Sequence, residues 1–127
     1  WAIDSINANC WKGAKVFLEH SAADVVLMQE TALPKGSRIP AAEQTARAIS
    51  WKTKILDCKN TANGLSAGVA VAARSHIGVA NPPGWDDRTE HTGGRFSLVR
   101  LDAVSKRGIA VGTIYGHTSV GIRNKLI

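Results

Sequence analysis

The chain has 127 residues, 44% of them apolar, and 16 Lys and Arg against 10 Asp and Glu give a net charge of +6. That is enough apolar sequence for one modest folded domain and argues against disorder. No apolar run approaches the length that spans a bilayer, and no basic region followed by an apolar one marks a secretory signal. The positive charge would steer a polyanionic partner toward the protein. The basic residues are nevertheless scattered, without a run of five, so a mildly basic surface accounts for them equally well. Cys10 and Cys58 lack metal-type C-x-x-C spacing and read as free thiols of a reducing compartment. A disulfide between them stays open at the level of sequence.

Residues 1–7 alternate loosely, with Ile3 and Ile6 apolar, and predict a first strand that gives way to Asn7-Ala8-Asn9-Cys10. Trp11, Ala14, Phe17 and Leu18 then recur at helical spacing, predicting a helix over 11–20. Gly13 within it costs about 1 kcal/mol relative to Ala. Val25 to Met28 is an unbroken apolar run that fits a strand buried on both faces, ending abruptly in Gln29-Glu30-Thr31. Strand, helix and strand in that order suggest a parallel crossover unit. Residues 31–39 form a loop punctuated by Pro34 and Gly36. Pro40 suits the first position of a second helix, which Ala42, Ala46 and Ile49 carry to about Ser50.

Residues 51–56 alternate and predict a strand with Lys52 and Lys54 on a wet face. Residues 58–65 read as a turn, and 66–74, where small residues alternate with Val, as a closely packed buried strand. Residues 81–94, with Pro82, Pro83, Gly84, Gly93 and Gly94, look least structured. Strands over 95–104 and 108–115 flank a tight turn and predict a hairpin. Ser119 is a candidate cap for a final helix through Ile127. Trp1 and Ile127 both look like cut ends, so the expectation is one unit, residues 1–127, belonging to a larger domain.

Four positions draw attention for chemistry. Glu30, at the end of a buried strand, is held rigidly yet reaches the rim, as an oxygen ligand for a hard cation must; it could equally mark a solvated strand end. Asn7 and Asn9 are turn formers, amide ligands or phosphate contacts. Tyr115 ends the last strand, either with its polar tip at the rim or as a half-buried aromatic packing on the sheet edge. The Asp86-Asp87 pair could bind metal, but in such a loop solvation is the simpler account. His20, His76, His91 and His117 are isolated in the sequence and carry no role here.

Their order along the chain is what points to a family. A strand ending in Asn7, a helix, a strand ending in Gln29-Glu30-Thr31, the Gly64-Leu65-Ser66-Ala67-Gly68-Val69-Ala70-Val71 segment, and a hairpin from Gly94-Arg95 to Tyr115 resemble the first half of the endonuclease/exonuclease/phosphatase superfamily. The spacing of Asn7 and Glu30 looks most similar to the endonuclease domains of non-LTR retrotransposons.

The resemblance implies an α+β fold: half of a four-layer α/β/β/α deoxyribonuclease-like sandwich, its mixed, mostly antiparallel sheets flanked by helices. It implies a Mg²⁺ or Mn²⁺ site at Glu30 and Asn7, with Asn9 where the apurinic endonucleases carry an Asp. Tyr115 matches the family tyrosine that contacts the scissile phosphate. The family often continues with Pro and Asn, where His117 and Thr118 stand here. The activity implied is phosphodiester hydrolysis, foremost DNA cleavage of a retroelement type. A lipid or inositol phosphate phosphatase and a degenerate binding domain are the alternatives. The family's activating His, its Asp partner and its Asp-x-Asn pair fall in the second half, so these 127 residues are expected to be inactive alone. Implied partners are DNA, that second half and a reverse transcriptase domain, in an intracellular, nuclear setting.

Overall fold

A computed structural model describes residues 2–62, 64–82, 95–102 and 106–116. Strand β1 (Ile3–Asn7) leads through helix α1 (Trp11–His20) into β2 (Val25–Gln29), and α2 (Arg38–Ala48) leads into β3 (Trp51–Ile55). A short hairpin, β4 (Lys59–Thr61) and β5 (Gly64–Ser66), precedes β6 (Val69–Arg74); β7 (Gly78–Ala80), β8 (Phe96–Asp102) and β9 (Ile109–Ile114) follow. The first main sheet has the order β1-β2-β6-β3, with β1 and β2 parallel and the other pairs antiparallel. The second is an antiparallel β7-β8-β9 sheet. The fold is therefore mixed α+β, and β1–α1–β2 is the parallel crossover predicted from the sequence.

Strand β2 shows why its apolar run is unbroken. Val26 and Met28 face the helices, packing with Ala14 and Leu18 of α1, Ala42 and Ala46 of α2, and Trp51. Val25 and Leu27 face the second sheet, packing with Val71, Val99, Leu101 and Val111. Each fully buried aliphatic side chain contributes roughly 1.5–3 kcal/mol, so helices, first sheet and second sheet are held as three successive layers.

Four expectations change in detail. Helix α2 begins at Arg38, so Pro40 sits third rather than first; the missing N–H still falls in the first turn, where no intrahelical acceptor awaits it. The turn expected over 58–65 is instead the β4–β5 hairpin, which takes in Ser66 and leaves the strand expected over 66–74 to begin at Val69; β7 was not anticipated. The Lys52–Lys54 face of β3 is not wet. Both side chains are half-buried against the second sheet, Lys52 donating to the Ile77 carbonyl (3.0 Å) and Lys54 to the Leu98 carbonyl (3.1 Å) and Asn81 Oδ1 (2.5 Å). Long lysine stems cover apolar surface while the ammonium finds oxygen at the edge. Burial lowers the Lys54 pKa. Cys10 is exposed and Cys58 buried, both as free thiols.

Candidate functional site

Glu30 is the extra residue of a β-bulge. Gln29 pairs with Val69 in the β2–β6 ladder, while the next backbone bonds run from Thr31 N–H to the Gly68 carbonyl and from Ala32 N–H to the Ala67 carbonyl, both 3.1 Å. Glu30, just past the end of β2, thus lacks a counterpart, and it adopts a left-handed φ of 58°. Simple alternation would send its side chain toward the helices beside Met28. The bulge re-aims it, as bulges do, to where Tyr115 hydroxyl donates a hydrogen bond to Glu30 Oε1. Thr31 is fully buried beneath it. Gly68 lies against Thr31: a Cβ there would sit 2.8 Å from Thr31 Oγ1, at a φ of +85°.

Tyr115 arrives from the second sheet, just past β9. Its N–H donates to the Arg95 carbonyl (2.7 Å). The Arg95 guanidinium lies 5.0 Å from the centre of the phenol ring and donates to the Gly116 carbonyl (3.2 Å). The hydrogen bond to Glu30 is the main cause of a raised Tyr115 pKa; burial and the carboxylate's charge add to it, and Arg95 opposes it.

Asn7 ends β1, in register with Gln29 on the parallel neighbour, and the pairing continues from Ala8 N–H to the Gln29 carbonyl (2.8 Å). Asn7 and Glu30 therefore stand at the same end of adjacent strands. Asn7 Oδ1 accepts the Asn9 N–H (3.2 Å), an Asx turn, and Asn9 takes a φ of 62° that suits asparagine. Both Asn residues are exposed. Helix α1 closes over this turn at Gly13, where a Cβ would come within 2.6 Å of the Ala8 carbonyl oxygen.

Sequence reasoning gave Gln29 no role of its own. Its amide nitrogen donates to Ser5 Oγ on β1 (3.2 Å) and to Thr113 Oγ1 on β9 (2.7 Å), crossing from one sheet to the other. Arg95 was missed as well. Neither carries a signal beyond a polar residue beside an apolar run.

One carboxylate and one amide oxygen on neighbouring strand ends match the donors that Mg²⁺ accepts when water and substrate phosphate complete its shell. Among the described residues no three His, Cys, Asp or Glu gather into a richer metal site. His20 closes α1, and exposed His76 follows β6, both near the opposite end of β2, where Arg74 N–H donates to the Asp24 carbonyl (3.0 Å). His91, His117, Thr118, the Asp86-Asp87 pair and the Ser119 helix lie outside the described residues. A separate cavity of about 650 Å³ runs along β3, lined by Arg47, Lys52, Lys54 and Asn81 among others; Glu30 and Tyr115 take no part in it.

No protein-family model matches the chain, and no curated protein matches it.

Proposed function

We infer that Glu30, Asn7 and Tyr115 form part of a Mg²⁺-dependent phosphodiester-hydrolysing site, of the DNA endonuclease type found in retroelements. The observation that carries this is the convergence of Glu30 and Tyr115, 85 positions apart, through a direct hydrogen bond at the strand end that also bears Asn7. The net charge of +6 favours a polyanionic substrate. In this reading the helix, sheet and sheet layers are three of the four in an α/β/β/α sandwich.

Glu30 and Asn7 would hold the ion, which when bound neutralises charge on the phosphodiester and on the leaving oxygen. Asn9 holds Asn7 in place through its backbone N–H. Tyr115, its pKa raised, keeps its proton at neutral pH; that single proton is held by Glu30 here, and in this reading it turns to a phosphate oxygen once an ion occupies the carboxylate, so Tyr115 is a hydrogen-bond donor rather than a nucleophile. Arg95 against the ring limits its rotation. No described residue is assigned as the base that activates water.

One observation favours a second reading, a non-catalytic binding domain. Asn7 Oδ1 and Glu30 Oε1 each already accept a hydrogen bond from within the chain, so the cluster is self-satisfied without an ion. Titration with Mn²⁺ separates the two. Selective broadening of the Asn7, Glu30 and Tyr115 amide resonances, lost in Glu30→Gln, is expected; uniform or absent broadening would remove the metal and leave the binding domain.

A further inference from the structure

The apolar core between the two sheets stops short of the candidate site. Leu27 on β2 and Val111 on β9 are the last apolar residues of that cluster in their strands. Two residues further on, the facing positions are Gln29 and Thr113, and Tyr115 follows on the same face of β9. Hydrophobic packing sets the sheet separation between the middles of the two sheets, but it is non-directional, and among the described residues its cluster does not continue past Leu27 and Val111 on these two strands. What spans the gap is the Gln29 amide. Its nitrogen donates to Thr113 Oγ1 at 2.7 Å and to Ser5 Oγ at 3.2 Å, so three strands from two sheets meet at one group. Thr113 is only 3% exposed, which keeps water from competing for its hydroxyl.

We propose that Gln29 is a positioning residue: by tying β1 and β2 to β9 at Thr113, it sets the distance between Glu30, the next residue on β2, and Tyr115, two residues on along β9. The functional weight of that pair rests on the proposed phosphodiesterase reading; the positioning itself does not. Gln29 does not touch the reacting groups. It acts through the sheet spacing, where a misplacement of about 1 Å can cost a hundredfold in rate.

Tyr115 is the single tyrosine of the chain, so incorporating 3-fluorotyrosine gives one fluorine resonance that reports the surroundings of its hydroxyl. The chain is compared at neutral pH, without metal or substrate, with Gln29→Met, Thr113→Val, the double variant and Thr113→Ser. Glu30→Ala marks the resonance of a Tyr115 that has lost the carboxylate. Gln29→Met and Thr113→Val should each move the signal more than half-way to that reference. The double variant should move it no further, because one bond is lost in all three, and Thr113→Ser should stay at the parental position. A merely stabilising tie would lower the melting temperature and leave the resonance where it was. That result in folded variants, or additive shifts in the double variant, would overturn the proposal. Should Gln29→Met fail to fold, Thr113→Val, equal in shape, decides alone. Failure of Mn²⁺ to bind at Glu30 would sink the phosphodiesterase reading without altering these shifts.

Discussion

Tyr115 and Glu30 are joined across the two main sheets: the phenol just past the end of one donates a hydrogen bond to a carboxylate lifted out of the other by a bulge. Alternation along β9 brings Tyr115 to the facing side after Val111 and Thr113, whereas Glu30 reaches it only through the bulge. The left-handed backbone at Glu30 (φ 58°) is a conformation that a non-glycine residue adopts at some cost. It persists because Thr31, buried directly after it, and Gly68, opposite, fix the chain on the far side.

The pH dependence of that bond is directly measurable. The absorbance of tyrosinate isolates the single tyrosine, Tyr115. Its titration midpoint should lie above the usual value of about 10, chiefly because of the hydrogen bond to Glu30, and should fall toward that value in Glu30→Ala, which removes the acceptor. Because the folded pKa is the higher one, the linked stability is fully present below the unfolded pKa and is lost as pH rises through the folded one. A midpoint at or below the usual value in the folded chain would contradict the hydrogen bond.

Gly68→Ala should destabilise the chain by roughly 1–3 kcal/mol, combining a strained φ with overpacking. The new methyl would lie 2.8 Å from Thr31 Oγ1, 3.1 Å from Ala32 N and 3.2 Å from Cys58 Cβ. Gly64→Ala is the internal comparison. It shares a positive φ of +105° but meets nothing within 4 Å, so its loss in urea denaturation should be smaller. Equal losses would mean that crowding beneath Glu30 is unimportant.

Where periodicity carried the information, the sequence was readable. Helix α1 spans the residues that its apolar spacing marked, and β2 is buried on both faces as its unbroken run implied. Lys52 and Lys54 misled because alternation reports polarity, not exposure; the Lys54 ammonium donates to Leu98 of the second sheet and that of Lys52 to Ile77, just before β7. The candidate site was legible as residue types at strand ends, namely Asn7, Glu30 and Tyr115. Its geometry was not. The bulge depends on where β6 stops pairing with β2, and the Gln29 tie depends on which strand of the second sheet lies opposite; both are long-range facts that no local pattern encodes.

Trp51 should be the costliest position among the core residues of β3. It is fully buried, its indole N–H donates to the Leu18 carbonyl of α1 (3.0 Å), and the Arg74 guanidinium lies 3.9 Å from its ring centre. Trp51→Ala should cost about 3–5 kcal/mol, a large share of the 5–15 kcal/mol or so that stabilises a typical domain. Trp51→Phe keeps most of the packing and strands one carbonyl, for roughly 1–3 kcal/mol. Chemical denaturation of both variants checks the order; a Phe variant as unstable as the Ala variant would show that the indole hydrogen bond, rather than packing, dominates.

Glu30→Gln bears most directly on the proposed chemistry. Gln is nearly the same size and can still accept the Tyr115 hydroxyl, so the bulge and the fold should persist, with a melting temperature close to the parent. What is lost is the negative charge, and a hard cation binds carboxylate far better than a neutral amide. In a chain that includes the residues supplying the water-activating base, phosphodiester cleavage should fall on the order of a hundredfold or more, since a bound metal contributes several kcal/mol of transition-state stabilisation. Raising Mg²⁺ should recover part of the rate if affinity is what was lost. Tyr115→Phe should lower the rate without that Mg²⁺ rescue, because it removes a hydrogen-bond donor and leaves the carboxylate in place. Glu30→Gln with parental turnover at limiting Mg²⁺ would take Glu30 out of the metal site, and the convergence of Glu30 with Tyr115 would then be a structural contact between two sheets and nothing more.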